Sequence, residues 1–243
     1  MDNMPALLNS PHNGLAPVRL AAILLLATVV MAADDLEKLR DRQDRASLDA
    51  HAMALQAAAE KTPNDATGWY RAAIAYAYIA EVAMEVRDKN GAQRAAEVGA
   101  GDAEKAIALN GKVADYYRVL GTLCGQVIPA NPIAGILSYG KRAKEALDKA
   151  IEMDPKSAKA FLAHGVGYYY LPANFGGGPE NAMKDFRQAI ALDPRLADAY
   201  LWMGIALKKE HQNAQAREAL AKSLQLDPDR VWTKDQLEKT PAQ

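Results

Sequence analysis

One six-residue ending recurs along this chain. Ser223-Leu-Gln-Leu-Asp-Pro228 repeats the pattern of Ala189-Ile-Ala-Leu-Asp-Pro194 and of Ala150-Ile-Glu-Met-Asp-Pro155, and Ala106-Ile-Ala-Leu-Asn-Gly111 is a worn copy. The final residues of the four strings lie 44, 39 and 34 positions apart. A period of this size marks a supersecondary unit stacked on copies of itself, and a spacing near 34 suits a helix-turn-helix. One such unit cannot bury its apolar face alone, so the copies must stack. The expected fold class is therefore all-α, a right-handed α-solenoid of about four helix pairs.

The residues inside each copy agree. In the last, Tyr200, Met203, Gly204 and Leu207 fall at i, i+3, i+4 and i+7 of a first helix, and Ala216, Leu220 and Ser223 share one face of a second. The same frame holds Phe161, His164, Gly165 and Tyr168 before Ala182, Phe186 and Ala189. It holds Tyr117, Leu120, Gly121 and Cys124 before Ala143, Leu147 and Ala150, and Trp69, Ala72, Ala73 and Tyr76 before Gly99, Ala103 and Ala106. This is a 3.6-residue period with small residues where two helices approach closely. The pattern resembles the tetratricopeptide repeat (TPR) consensus. The repeats span 66–111, 114–155, 158–194 and 197–228.

Turns between repeats have constant length, so all variation sits inside them. Relative to the last copy, the first three carry 14, 10 and 5 extra residues, at Asp88–Gly101, Ile128–Tyr139 and Leu171–Pro179. Equivalent loops of a solenoid emerge along one edge, which predicts a rim of three graded loops. They are either tolerated insertions or a lid over the groove.

The repeats fill 66–228, with a capping helix in 33–65 and a C-terminal cap and tail in 229–243. Leu36 to Lys61 reads as one long helix, and Asp229–Lys239 with Trp232 covers the far end, since a solenoid needs a polar outer face at both ends. Residues 1–32 read as a signal peptide. Leu20 to Met31 is apolar, Val30-Met31-Ala32 places small residues at the −3 and −1 positions, and Asp34-Asp35 follow. The run is too short for a comfortable membrane span. The expectation is cleavage after Ala32 and export to the periplasm. The alternative is an uncleaved inner-membrane anchor at 20–32, in which case that segment is the sole membrane contact.

With 29 basic and 30 acidic residues and no basic stripe, nucleic acid is a poor partner. The single cysteine, Cys124, excludes an intrachain disulfide and falls on a packing face. His51, His164 and His211 lack metal-ligand spacing, and no nucleophile elbow or phosphate-binding Gly-Lys-Ser/Thr loop appears. Phe175-Gly-Gly-Gly178-Pro179-Glu180 reads as a turn and cap, because Pro179 suits the first helical position and Glu180 places negative charge in the first turn. The chain is expected to be no enzyme and to need no cofactor or metal.

First helices line the concave face of such a superhelix. The candidate groove residues are Tyr70, Ile74 and Tyr78; Arg118, Thr122 and Gln126; Leu162, Val166, Tyr169 and Tyr170; and Leu201, Ile205 and Lys209. This lining is apolar and rich in tyrosine, whose ring buries area while its hydroxyl keeps a hydrogen bond. It either packs against caps and loops or holds a ligand. A carboxylate clamp of the kind some tetratricopeptide proteins carry needs Lys, Asn and Arg here, and Arg118 alone matches in kind. Two functions remain open. One is an exported, non-catalytic scaffold for a protein or peptide partner. The other is a carrier or receptor for an apolar small molecule or lipid, as an accessory transport component.

Two family resemblances bear on this. Trp69-Tyr-Arg-Ala-Ala, Leu123-Cys-Gly-Gln126, Gly140-Lys141 and Asp148-Lys-Ala-Ile-Glu-Met-Asp-Pro155 resemble the repeat domain of the regulator of microtubule dynamics family. Eukaryotic members are membrane-tethered, and some are linked to lipid binding at organelle contacts, which the apolar groove would suit. Tyr168-Tyr-Tyr-Leu-Pro172, with Phe175-Gly-Gly-Gly178 and Ala182, resembles the periplasmic T-component of TRAP-type transporters, although no cysteine for a lipid anchor stands at the cleavage position.

Overall fold

A computed structural model describes residues 35–128 and 135–242. The candidate signal segment lies outside the described residues, as does the middle of the second insertion. Leu36–Gln243 forms one compact unit, and among the described residues it contains helices and no strand.

A leading helical segment, residues 35–41, is followed by α1 (Arg45–Lys61). The four pairs are α2 (Ala66–Glu85) with α3 (Lys89–Leu109), α4 (Ala114–Val127) with α5 (Lys141–Met153), α6 (Ala158–Tyr170) with α7 (Pro179–Leu192), and α8 (Ala197–Lys209) with α9 (Asn213–Leu226). The last helix, α10, covers Val231–Glu238. α1 packs on α2, and α10 packs on α9.

The recurrent endings are helix stops. Asp154, Asp193 and Asp227 each donate their backbone N–H to the carbonyl four residues back, at 2.8–2.9 Å. Each carboxylate then accepts from the N–H two residues on, at 2.9–3.2 Å. This is an Asx turn around a proline that cannot continue the helix. Asn110 makes the same pair of bonds without proline, so the worn copy keeps the mechanism.

The recurrent glycines are contact points between paired helices. A Cβ on Gly121 would lie 2.5 Å from Leu147, one on Gly165 2.6 Å from Phe186, and one on Gly204 2.7 Å from Leu220. The facing side chains are buried, and in the first pair the equivalent positions are Ala73 and Ala103.

Two expectations change. Leu36 to Lys61 is broken in two: Gln43 adopts a left-handed φ of 55°, and Asp44 caps α1 by accepting from the Ser47 N–H at 3.1 Å. The first insertion is no loop. Asp88 caps α3 and the rest of the insertion lies within that 21-residue helix, because Ala92, Ala95, Ala96, Gly99, Ala100 and Ala103 form a buried helical stripe. The second insertion enters α5 through a π-helical turn, Ile136–Gly140. The third is a short 3-10 turn, Ala173–Phe175, followed by Gly176 and Gly178, both at positive φ.

Cys124 is completely buried, and burial pushes its thiol up to about 11. The native chain is expected to resist alkylation by iodoacetamide at neutral pH and to react fully in urea, as read by mass spectrometry.

Candidate functional site: a concave cavity closed by ion pairs

The α6 sequence is apolar along almost its whole length, yet Ala160 and Gly165 alone are buried on it. Leu162, Val166, Tyr168 and Tyr169 are half-buried, and Tyr170 is 42% exposed. Part of the reason is a cavity of about 240 Å³ on the concave side. Ile74 and Tyr78 of α2, Val119 of α4, Leu162 and Val166 of α6, and Trp202 of α8 give its apolar wall. Tyr170, Trp202 and Trp232 form a chain of edge-to-face rings at one end, with centroids 5.9 and 5.3 Å apart.

Of the candidate groove residues, Ile74, Tyr78, Arg118, Thr122, Gln126, Leu162, Val166 and Tyr170 line the cavity. Tyr70 stacks on Tyr116 at 4.7 Å and donates its hydroxyl to Asp115. Tyr169 packs against Trp202, with the Lys209 ammonium 4.6 Å over its ring. Leu201 and Ile205 belong to the core between the last two pairs.

Some polar groups around the cavity are committed, whereas Thr122 Oγ1, Gln126 Oε1 and His164 Nε2 are buried with no hydrogen-bond partner among the described residues. Arg118 grips Asp115 with two donors, one of them at 2.8 Å. Burial opposes its charge, but Asp115 overcomes that and holds the guanidinium pKa above its ordinary value. With its charge matched inside the protein, Arg118 is poorly placed to clamp a partner's carboxylate. Gln126 donates to the Ala77 carbonyl at 3.1 Å, tying α4 to α2. His164 sits between two carboxylates, with Nδ1 2.8 Å from Asp185 and Nε2 3.3 Å from Asp148.

The cavity is closed at one side by contacts that the repeat pattern does not reveal. Arg40, in the leading segment, donates to Asp198 of α8 at 2.6 Å and to its neighbour Asp41 at 2.5 and 2.8 Å. Arg230, in the turn before α10, donates to Glu81 of α2 at 2.7 Å and to both carboxylate oxygens of Glu85. Gln43 adds a 2.8 Å bond to Glu85, and Arg42 pairs with Asp229 at 2.8 Å on the surface. The side chains of Arg40, Glu85 and Arg230 are 5%, 1% and 1% exposed, while Glu81 and Asp198, at 22% and 15%, keep an edge toward the cavity. The first pair and the last are thereby bound to each other, and Glu37, Arg40, Glu81, Glu85 and Asp198 become part of the cavity wall. Sequence reasoning missed these five. The available signal was Glu81 and Glu85, one helical turn apart on an otherwise apolar helix.

Comparison with known proteins places the chain. The family model described as Regulator of microtubule dynamics protein 1-3 matches residues 30–175, and a tetratricopeptide repeat model matches residues 197–230. Small glutamine-rich tetratricopeptide repeat-containing protein 2 of Mycosarcoma maydis is 33% identical over 90 residues, which is 37% of this chain and 24% of that protein. The chain thus spans about a quarter of that relative. TTC0263, a thermophilic TPR protein of Thermus thermophilus, superposes with a TM-score of 0.58 at 19% identity, over 79% of this chain and 92% of that one. This last likeness is one of fold. A solenoid of such repeats presents an extended binding surface, and this chain belongs to the regulator of microtubule dynamics protein 1-3 family.

Proposed function

We propose that this protein is a non-catalytic binding scaffold whose concave cavity holds an apolar ligand. The observation that carries this reading is α6, an apolar helix whose cavity-facing side chains, Leu162, Val166 and Tyr170, are left partly uncovered by the protein. An apolar surface of this kind gains free energy when a ligand covers it, at about 25 cal/mol per Å². The size is suitable. A cavity of about 150 Å³ lined by apolar side chains holds benzene, so about 240 Å³ suits a short aliphatic chain or a larger ring. Export to the periplasm with cleavage after Ala32 is part of the proposal and rests on residues 20–35 alone; N-terminal sequencing of the mature chain checks it.

The test is calorimetric titration with octanol, alongside native mass spectrometry of the freshly purified chain. One octanol per chain is expected. Val166→Asp places a carboxylate in the apolar wall, and binding is expected to weaken by roughly tenfold or more while the fold survives. Equal affinity in the variant, or no binding by the wild type, removes the reading. A peptide or protein partner on the concave face then takes its place, as the repeat fold itself favours.

A further inference from the structure

The ion cluster contains two guanidiniums, Arg40 and Arg230, and four carboxylates, Asp41, Glu81, Glu85 and Asp198. It joins the leading segment, α2, α8 and the turn before α10, and three of its acids line the cavity. Charges largely withdrawn from water are tolerated when matched, and here four carboxylates share two guanidiniums. The cheapest relief is a proton. We infer that this cluster is a proton-linked latch on the cavity, which takes up protons on closing and releases them on opening. It rests on the proposed ligand cavity only for what it gates.

The surroundings of each acid support this. Glu81 faces Arg40 and Glu37 from the leading segment, Tyr78 and Glu85 on its own helix, Tyr170 on α6, Asp198 on α8 and Arg230 before α10. Burial pushes its carboxyl up to about 7; Arg40 and Arg230 oppose this, while Glu85 and Asp198 add to it. Asp41 is pushed up to about 6, first by burial, with Arg40 and Arg230 opposing and Asp227 adding. Asp198 goes the other way: burial would raise it, but Arg40 and Arg230 hold it below its ordinary value. Glu81 and Asp41 each share a guanidinium with another acid, and for both the burial outweighs it.

The sign follows from linkage. A carboxyl whose value is raised in the closed state favours that state at low pH, and the benefit is lost as pH rises through the raised value. Between pH about 8 and about 6, Glu81 alone should shift the opening equilibrium by about tenfold toward closed, and Asp41 by about twofold more. Release from the cavity is therefore expected to be faster on the alkaline side.

The test is hydrogen exchange by mass spectrometry on the full chain at both pH values, corrected for intrinsic exchange rates. Residues 36–41 and α10 are expected to gain about tenfold to twentyfold protection on acidification. Glu81→Gln keeps the shape and removes the titration, so the tenfold part should vanish and the latch should stay closed at both pH values. Asp41→Asn removes the smaller part and serves as the second variant. Wild-type protection that ignores pH or falls on acidification overturns the latch, as does an undiminished slope in Glu81→Gln. Octanol at alkaline pH is expected to add protection to the same segments. An unchanged pH slope with no octanol effect keeps the proton-linked latch and sinks the ligand cavity instead.

Discussion

Arg230→Ala is expected to destabilise the protein by about 3–5 kcal/mol. The guanidinium is 1% exposed and serves Glu81 and Glu85 at once. Removing it leaves the Glu85 carboxylate, also 1% exposed, with the Gln43 amide as its remaining side-chain donor among the described residues. The size of the effect lies in that stranded charge and not in the pair's net worth, since removing one partner of a buried pair costs more than removing both. Arg230→Met combined with Glu85→Leu is therefore expected to cost less than Arg230→Ala alone. Urea unfolding monitored by circular dichroism measures both. A double variant at least as unstable as the single one would show that the pair itself, and not the orphaned charge, supplies the stability.

Phe186→Ala is expected to cost a similar amount, about 3–5 kcal/mol, for a different reason. The ring is completely buried and lies directly over Gly165 of the paired helix. Deleting it opens a void between α6 and α7 that the rigid helices cannot fill. Gly165→Ala in the wild-type protein overpacks the same contact, since its Cβ would lie 2.6 Å from the ring, and is expected to cost about 1–3 kcal/mol. In the Phe186→Ala background only the Ala182 carbonyl, 3.1 Å from the new methyl, still crowds it, so Gly165→Ala is expected to cost clearly less there than in the wild type. A double-mutant cycle by urea unfolding reads this coupling directly. Additive costs would mean that the two residues do not share the space.

What the sequence made legible is what each repeat does locally. Gly121, Gly165 and Gly204 announce close helix approach, and Asp-Pro or Asn-Gly announces the stop, because packing and hydrogen bonding within one pair demand them. The latch was hidden for the opposite reason. Arg40 and Asp198 meet across 158 positions of sequence, and no periodicity links residues so far apart. Glu81 and Glu85 acquire partners only when the far end of the chain is brought against them. The first insertion was misread as a loop because the consensus gap outweighed its own buried alanine stripe, Ala92 to Ala103, which already had helical spacing. The cavity wall was half-legible. First helices face inward in any such solenoid, which brings Ile74, Leu162 and Val166 to the wall. Leu201 and Ile205 pack instead into the core with Phe186 and Leu220, a contact between neighbouring pairs that the first-helix rule does not separate from the groove.

The bonds from Arg40 to Asp198 and from Arg230 to Glu81 also change how the molecule should come apart. A linear array of repeats is held by nearest-neighbour contacts, so it frays from its two free ends, and its halves can melt separately. Here the terminal units are each other's neighbours, and neither end is loose until the cluster breaks. Unfolding should then be all-or-none, with a folding barrier that includes closing a loop almost as long as the domain. A family built for modular growth would in this member have given up modularity for the cooperativity of an ordinary globular domain.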